Sequence, residues 1–91
     1  MTLWPIFYKG FILKQSPLTI LGAGSWGTAL ALVAARNGSQ VHLWGNDSDD
    51  IHHMQRDRMN QRYLPDHPFP DALSIYENLP QALEGVTNIL I

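Results

Sequence analysis

Leu18-Thr19-Ile20-Leu21-Gly22-Ala23-Gly24-Ser25-Trp26-Gly27-Thr28-Ala29-Leu30-Ala31 is the stretch on which the reading of this chain turns. Four residues of apolar, β-favouring character end abruptly at a glycine. A G-x-G-x-x-G spacing follows over Gly22, Gly24 and Gly27, and a proline-free run rich in alanine and leucine follows that. Glycines cluster in many turns, so the spacing alone is a weak signal. Its weight comes from its place between a predicted strand and a predicted helix. There the first glycine permits a tight turn, the second lets backbone approach a pyrophosphate, and the third lets helix and strand pack closely. The N–H groups of Ser25, Trp26 and Gly27 would then face phosphate oxygens at the positive end of the helix.

Reading outward, a helix is predicted from Trp26 to Asn37, apolar nearly all round and therefore expected to be covered on both sides. Gly38 should stop it in the left-handed conformation. Gln40–Trp44 reads as a second strand ended by Gly45–Asn46. Ser48 is placed to cap a second helix, with Asp49 and Asp50 in its first turn and Ile51 and Met54 facing inward. The end of that helix near Met59–Asn60 is indistinct, and Leu64 to Pro70 is a proline-broken connection. Leu73–Tyr76 suits a third strand, and Asn78 with Gln81 has capping-box spacing for a short helix ending at Gly85. Asn88–Ile91 begins a fourth strand.

Strand alternating with helix is the pattern of a parallel α/β sheet. The expected fold is a Rossmann-type doubly wound sheet, incomplete: the first β-α-β-α-β half and the start of strand four. Strand four should lie beside strand one, so the far side of strand one is expected to be poorly paired, with an exposed apolar face. Residues 17–91 are read as the N-terminal part of a dinucleotide-binding domain, truncated, with the C-terminal substrate domain absent. Residues 1–16 are read as an extension, loosely docked or from a mis-assigned start; Pro5, Lys9 and Gly10 break the apolar run short of a membrane span.

Composition removes several function classes. A net charge of −2, with only 6 Lys and Arg, provides no basic field for nucleic acid or anionic lipid. The absence of cysteine excludes disulfides and thiolate chemistry and suits a cytoplasmic protein. His52 and His53 are adjacent, diverge on a helix, and make a poor metal pair, so no metal site is expected. His42, within a strand, is read as a packed or surface side chain. Ser25 has no His partner in a hydrolase order. Arg56, Arg58 and Arg62 form a modest basic cluster, expected on a solvated face, with reach to a coenzyme phosphate as the less frequent alternative. The acidic residue that commonly holds the adenosine ribose at the end of the second strand is missing. Asn46 stands there without charge, and Asp47 lies slightly beyond. Neither supplies a cation for a 2′-phosphate, so NAD and NADP both remain open.

Leu21-Gly22-Ala23-Gly24-Ser25-Trp26-Gly27-Thr28-Ala29-Leu30-Ala31, with Ala35-Arg36-Asn37-Gly38, Leu43-Trp44 and Asn60-Gln61-Arg62-Tyr63-Leu64-Pro65, resembles the opening of the bacterial NAD(P)-dependent glycerol-3-phosphate dehydrogenases. The resemblance runs from about Pro17 to Ile91. It implies interconversion of dihydroxyacetone phosphate and sn-glycerol 3-phosphate, feeding phospholipid synthesis in the cytoplasm, and it admits a homodimer. By position, Ser25 and Trp26 match residues beside the coenzyme pyrophosphate. Asn46 and Asp47 match a pair that is often His or Arg in the family, and Tyr63 matches a tyrosine next to the coenzyme. The family's catalytic lysine and helical substrate domain belong to later sequence, so no catalytic residue is expected among these. Other two-domain dehydrogenases, of hydroxyisobutyrate or phosphogluconate type, and non-catalytic nucleotide-sensing modules are the competing readings.

Overall fold

The computed structural model describes residues 17–91, and the extension expected at residues 1–16 lies outside the described residues. Strands β1 (Leu18–Leu21), β2 (Val41–Trp44), β3 (Leu73–Tyr76) and β4 (Asn88–Leu90) alternate with helices α1 (Ser25–Arg36), α2 (Ser48–Asp57) and α3 (Leu79–Leu83). The strands form one sheet in the order β3-β2-β1-β4, every neighbouring pair parallel. The architecture is that of a Rossmann-type α/β fold, as the alternation of elements predicts.

Register explains which residues form the core. Ile20 pairs with Leu43, which pairs with Ile75, and Val41 pairs with Leu73, so these side chains share one face of the sheet. That face packs against Ala31, Leu32 and Ala35 of α1 and Ile51 and Met54 of α2 in a single buried cluster. The opposite face receives α3. There the Thr19 hydroxyl donates to the Ala82 carbonyl at 2.5 Å, and His42 Nδ1 lies 2.9 Å from the same oxygen. A carbonyl can only accept, so His42 carries its proton on Nδ1, and it is half-buried packing as expected.

Helix α1 ends as its sequence dictates. Gly38 has φ +99°, its N–H reaches the Ala35 carbonyl, and the Ser39 N–H reaches Ala34, the paired bonds of a Schellman motif. Three expectations need correction. Helix α1 is not covered on its outer side among the described residues: Trp26 is 77% exposed and Val33 56%. Strand one does not lack a partner, because Leu18, Thr19 and Ile20 pair with Asn88, Ile89 and Leu90; the open edge belongs to β4, exposed throughout. Ser48 does not cap α2. The cap is Asp47, one residue earlier, whose extended backbone lets Oδ1 accept from the Asp50 N–H at 3.1 Å. The Ser48 hydroxyl donates to Glu77 instead, at 2.5 Å, because the end of β3 brings that carboxylate over the start of the helix.

Helix α2 ends at Asp57, and Arg58 turns left-handed at φ 52°. That conformation is uncommon for a residue with a side chain. Here the surroundings hold it: the Arg58 guanidinium donates to the Pro70 and Leu73 carbonyls at 2.9 and 2.7 Å, and the Arg58 carbonyl accepts from Phe69. The proline-broken connection is thereby tied back to the helix it leaves.

Candidate dinucleotide site

The turn from β1 into α1 is built by three glycines with different tasks. Gly22 has φ +119°, a region that side chains rarely adopt, and its N–H donates to the Trp44 carbonyl at the tip of β2. Gly27 sits so close to the turn that a Cβ there would fall 1.8 Å from the Gly22 carbonyl oxygen. Gly24 occupies the N-cap position with ordinary φ, and a Cβ on it would meet nothing within 4 Å. No steric demand among the described residues calls for a glycine at Gly24. The space above it is what a ligand would use.

The helix that starts there is suited to an anion. Gly24 supplies no side-chain cap, and no acidic residue lies in the first turn. The Gly24 carbonyl accepts from Thr28, which leaves the amides of Ser25, Trp26 and Gly27 ahead of the first helical bond. Aligned peptide dipoles make that end positive, so geometry and field agree on a phosphate. The loop meets the fit required of a dinucleotide pyrophosphate.

Two clefts flank this loop, and Gly24 lines both. The one toward β4, about 340 Å³, is walled by Ser25, Trp26, Leu30 and Leu90. The one toward α2, also about 340 Å³, is walled by Asn46, Asp47, Arg62 and Tyr63. A larger hollow of about 440 Å³ lies on α2 among Arg56, Asp57 and Gln61, but it does not reach the glycine loop. Every site residue expected from sequence therefore falls around one turn: Gly22, Gly24, Ser25, Trp26 and Gly27 in it, and Asn46, Asp47 and Tyr63 beside it.

The basic cluster is only partly kept together, Arg56 and Arg62 both lining the larger hollow on α2. Arg58 is committed to the Pro70–Leu73 connection, and Arg56 pairs with Asp57, its guanidinium held further above its usual range by that hydrogen bond. Arg62 alone of the three lies in the α2-side cleft, with Nη1 3.0 Å from Asp50 Oδ2 and its guanidinium 5.2 Å from the centre of the Tyr63 ring. His52 and His53 are exposed on α2, and His52 pairs with Glu77. Among the described residues no group of His, Asp or Glu is arranged to hold a metal ion.

Sequence reasoning missed two structural partners of the loop. Asn60 is 3% exposed, and its Nδ2 donates to the Ala23 carbonyl at 3.2 Å and to Thr28 Oγ1 at 2.8 Å. Its Oδ1 accepts from the Tyr63 N–H at 3.2 Å. One amide thus joins the glycine turn, the first turn of α1 and the segment carrying Arg62 and Tyr63. Gly45 is the second: a Cβ there would come within 2.9 Å of Ala23 Cβ and Ile51 Cδ1. A glycine directly after β2 was the available signal for it. For Asn60 the signal lay only in its partners, 32 and 37 residues earlier in the chain.

A parallel sheet with a glycine turn feeding a helix at the carboxyl end of its first strand defines the class, a Rossmann-type α/β protein. Residues 17–91 match the family model described as NAD-dependent glycerol-3-phosphate dehydrogenase N-terminus, and the chain belongs to that family. It is 59% identical over 77 residues to a glycerol-3-phosphate dehydrogenase [NAD(P)+] of Coxiella burnetii, an alignment covering 85% of this chain and 23% of that protein. The corresponding protein of Haemophilus influenzae is 52% identical over 80 residues, 88% of this chain and 24% of its own. A crystal structure of the Coxiella burnetii glycerol-3-phosphate dehydrogenase superposes with a TM-score of 0.80 at 56% identity, covering 82% of this chain and 23% of that one. The chain therefore spans under a quarter of the length of these relatives. No helix of the described residues is long and apolar enough to cross a membrane.

Proposed function

We propose that this chain is the coenzyme-holding part of an oxidoreductase that moves hydride between NAD(P)H and dihydroxyacetone phosphate. The product is sn-glycerol 3-phosphate, for phospholipid synthesis in the cytoplasm. The observation that carries this reading is the glycine turn: forced at Gly22 and Gly27, open at Gly24, and followed by a helix start with no internal anion. Family membership supports this chemistry.

Gly22, Gly24, Ser25, Trp26 and Gly27 hold the pyrophosphate, with the three amides as donors. Asn46, Asp47 and Tyr63 flank the adenosine, and Leu30 and Leu90 begin the wall on the nicotinamide side. The bound coenzyme supplies the hydride. These residues orient it, and we assign none of them the transfer of the carbonyl proton. Catalysis requires donor, carbonyl and acid held together, so the 91-residue chain by itself should bind coenzyme weakly and show no turnover.

The test is an amide-resolved NMR titration of the chain with NADH, alongside an absorbance assay for dihydroxyacetone phosphate reduction. Saturable shifts at Ser25, Trp26 and Gly27 without turnover are expected. Absence of shifts at those amides refutes the site, and turnover above a blank refutes the division of labour.

A further inference from the structure

We propose that Arg62 is the specificity-determining residue for the ribose 2′ position, and that it admits a 2′-phosphorylated coenzyme by moving its guanidinium from Asp50 onto that phosphate. This rests on the dinucleotide reading above and extends it to a residue that the end of β2 does not contain.

In this class of fold the adenosine ribose lies against the residue that ends the second strand, where a carboxylate favours the free hydroxyl and a nearby arginine favours the phosphate. Here Asn46 is neutral, and one oxygen of Asp47 is engaged in capping α2. The only cation lining the cleft, among the described residues, is Arg62. It arrives from the connection after α2, held there because the Asn60 carboxamide oxygen accepts the neighbouring Tyr63 N–H.

The geometry of Arg62 suits exchange. Its side chain is 62% exposed and that of Asp50 32%, so the ion pair between them is a solvated one of small net stability. One guanidinium nitrogen, Nη1, meets Asp50, and the planar fork has further N–H donors for a bidentate contact with phosphate. The dianion would be drawn to the arginine and repelled by Asp47, Asp49 and Asp50, which crowd the start of α2. Asp50 therefore sets the balance. It neutralises Arg62 when the ribose carries a hydroxyl and competes for it when the ribose carries a phosphate, so that both coenzyme forms are accepted.

Adenosine 2′,5′-bisphosphate and 5′-AMP isolate the effect, since they share the adenosine and the 5′-phosphate. Both are titrated into the full 91-residue chain by calorimetry at low salt, with amide spectra in parallel. The bisphosphate should bind at least about threefold more tightly in the unaltered chain, as one charge-assisted contact offset by Asp50 implies. Arg62→Gln should lower that ratio by about tenfold while leaving 5′-AMP affinity within about twofold, because the fork is lost and the acidic groups remain. Asp50→Asn should raise the ratio by about threefold by releasing the fork. Arg62 is exposed, so folding is not at stake, and an unchanged circular dichroism spectrum checks it. A ratio indifferent to Arg62→Gln, with 5′-AMP still bound, overturns this assignment and leaves the phosphate loop intact. Failure of either compound to shift Ser25, Trp26 and Gly27 overturns both.

Discussion

Removing the Asn60 carboxamide is the sharpest perturbation this structure offers. Asn60→Ala deletes three hydrogen bonds at once: to the Ala23 carbonyl, to Thr28 Oγ1 and from the Tyr63 N–H. At about 1 kcal/mol net for each bond the loss would be about 3 kcal/mol. Two effects reduce it. The Ala23 carbonyl keeps the Thr28 hydroxyl at 3.3 Å, and the Tyr63 amide lies in an exposed segment where water can replace the lost acceptor. A net loss of about 2 kcal/mol remains, which in a domain of this size lowers Tm by roughly 8–16 °C. Asn60→Asp keeps the shape and the acceptor but aims a carboxylate at the Ala23 carbonyl. It should be at least as damaging at neutral pH. Burial raises the folded pKa of the introduced carboxyl above its unfolded value, so its penalty should shrink as pH falls through that raised value and the group becomes a donor. Thermal unfolding followed by circular dichroism measures both variants, and hydrogen exchange at Ser25, Trp26 and Gly27 reports whether the loop has loosened. A Tm drop under about 2 °C for Asn60→Ala would show that the amide does not hold the turn.

Further outcomes are expected. Gly24→Val should fold normally, since its Cβ meets nothing, yet abolish NADH shifts at Ser25 to Gly27; unchanged affinity by calorimetry in a folded variant would refute the phosphate-loop assignment. Gly27→Ala should instead fail as a fold, because a Cβ 1.8 Å from the Gly22 oxygen forces strand and helix apart, and a cooperative thermal transition within about 5 °C of the unaltered chain would contradict that. The Ser48 hydroxyl and then His52 hold the Glu77 carboxyl below its ordinary value of 4.5. Its contribution is therefore fully present above that value and lost as pH falls through the lower folded one, so Glu77→Gln should flatten the acid limb of a Tm–pH profile. An acid limb unchanged by the substitution would assign the loss of stability to other carboxylates.

Much of this was legible in the sequence, for a physical reason that is local. A tight turn, a helix start and a helix stop are set by residues within a few positions of one another. Gly22 and Gly38 announce backbone conformations, and the apolar runs at Leu18–Leu21, Leu43–Trp44 and Leu73–Tyr76 announce buried parallel strands. The place of β4 beside β1 followed from the topology that such alternation permits. Even the misplaced cap of α2 was an error of a single residue, between two neighbours that both favour the position.

What the tertiary structure alone decided concerns side chains whose partners are far away in sequence. No periodicity distinguishes Arg58, folded into the Pro70–Leu73 connection, from Arg62, which reaches the cleft four residues later. Asp47 takes the cap expected of Ser48, whose hydroxyl instead meets Glu77, 29 residues further on, arriving over the same helix end. Asn60 reads as a polar residue in an indistinct helix terminus until folding brings Ala23 and Thr28 against it. Backbone shape is dictated by near neighbours and was written in the chain. The pairing of polar groups depends on which ones the sheet and helices carry together, and only the folded molecule settles that.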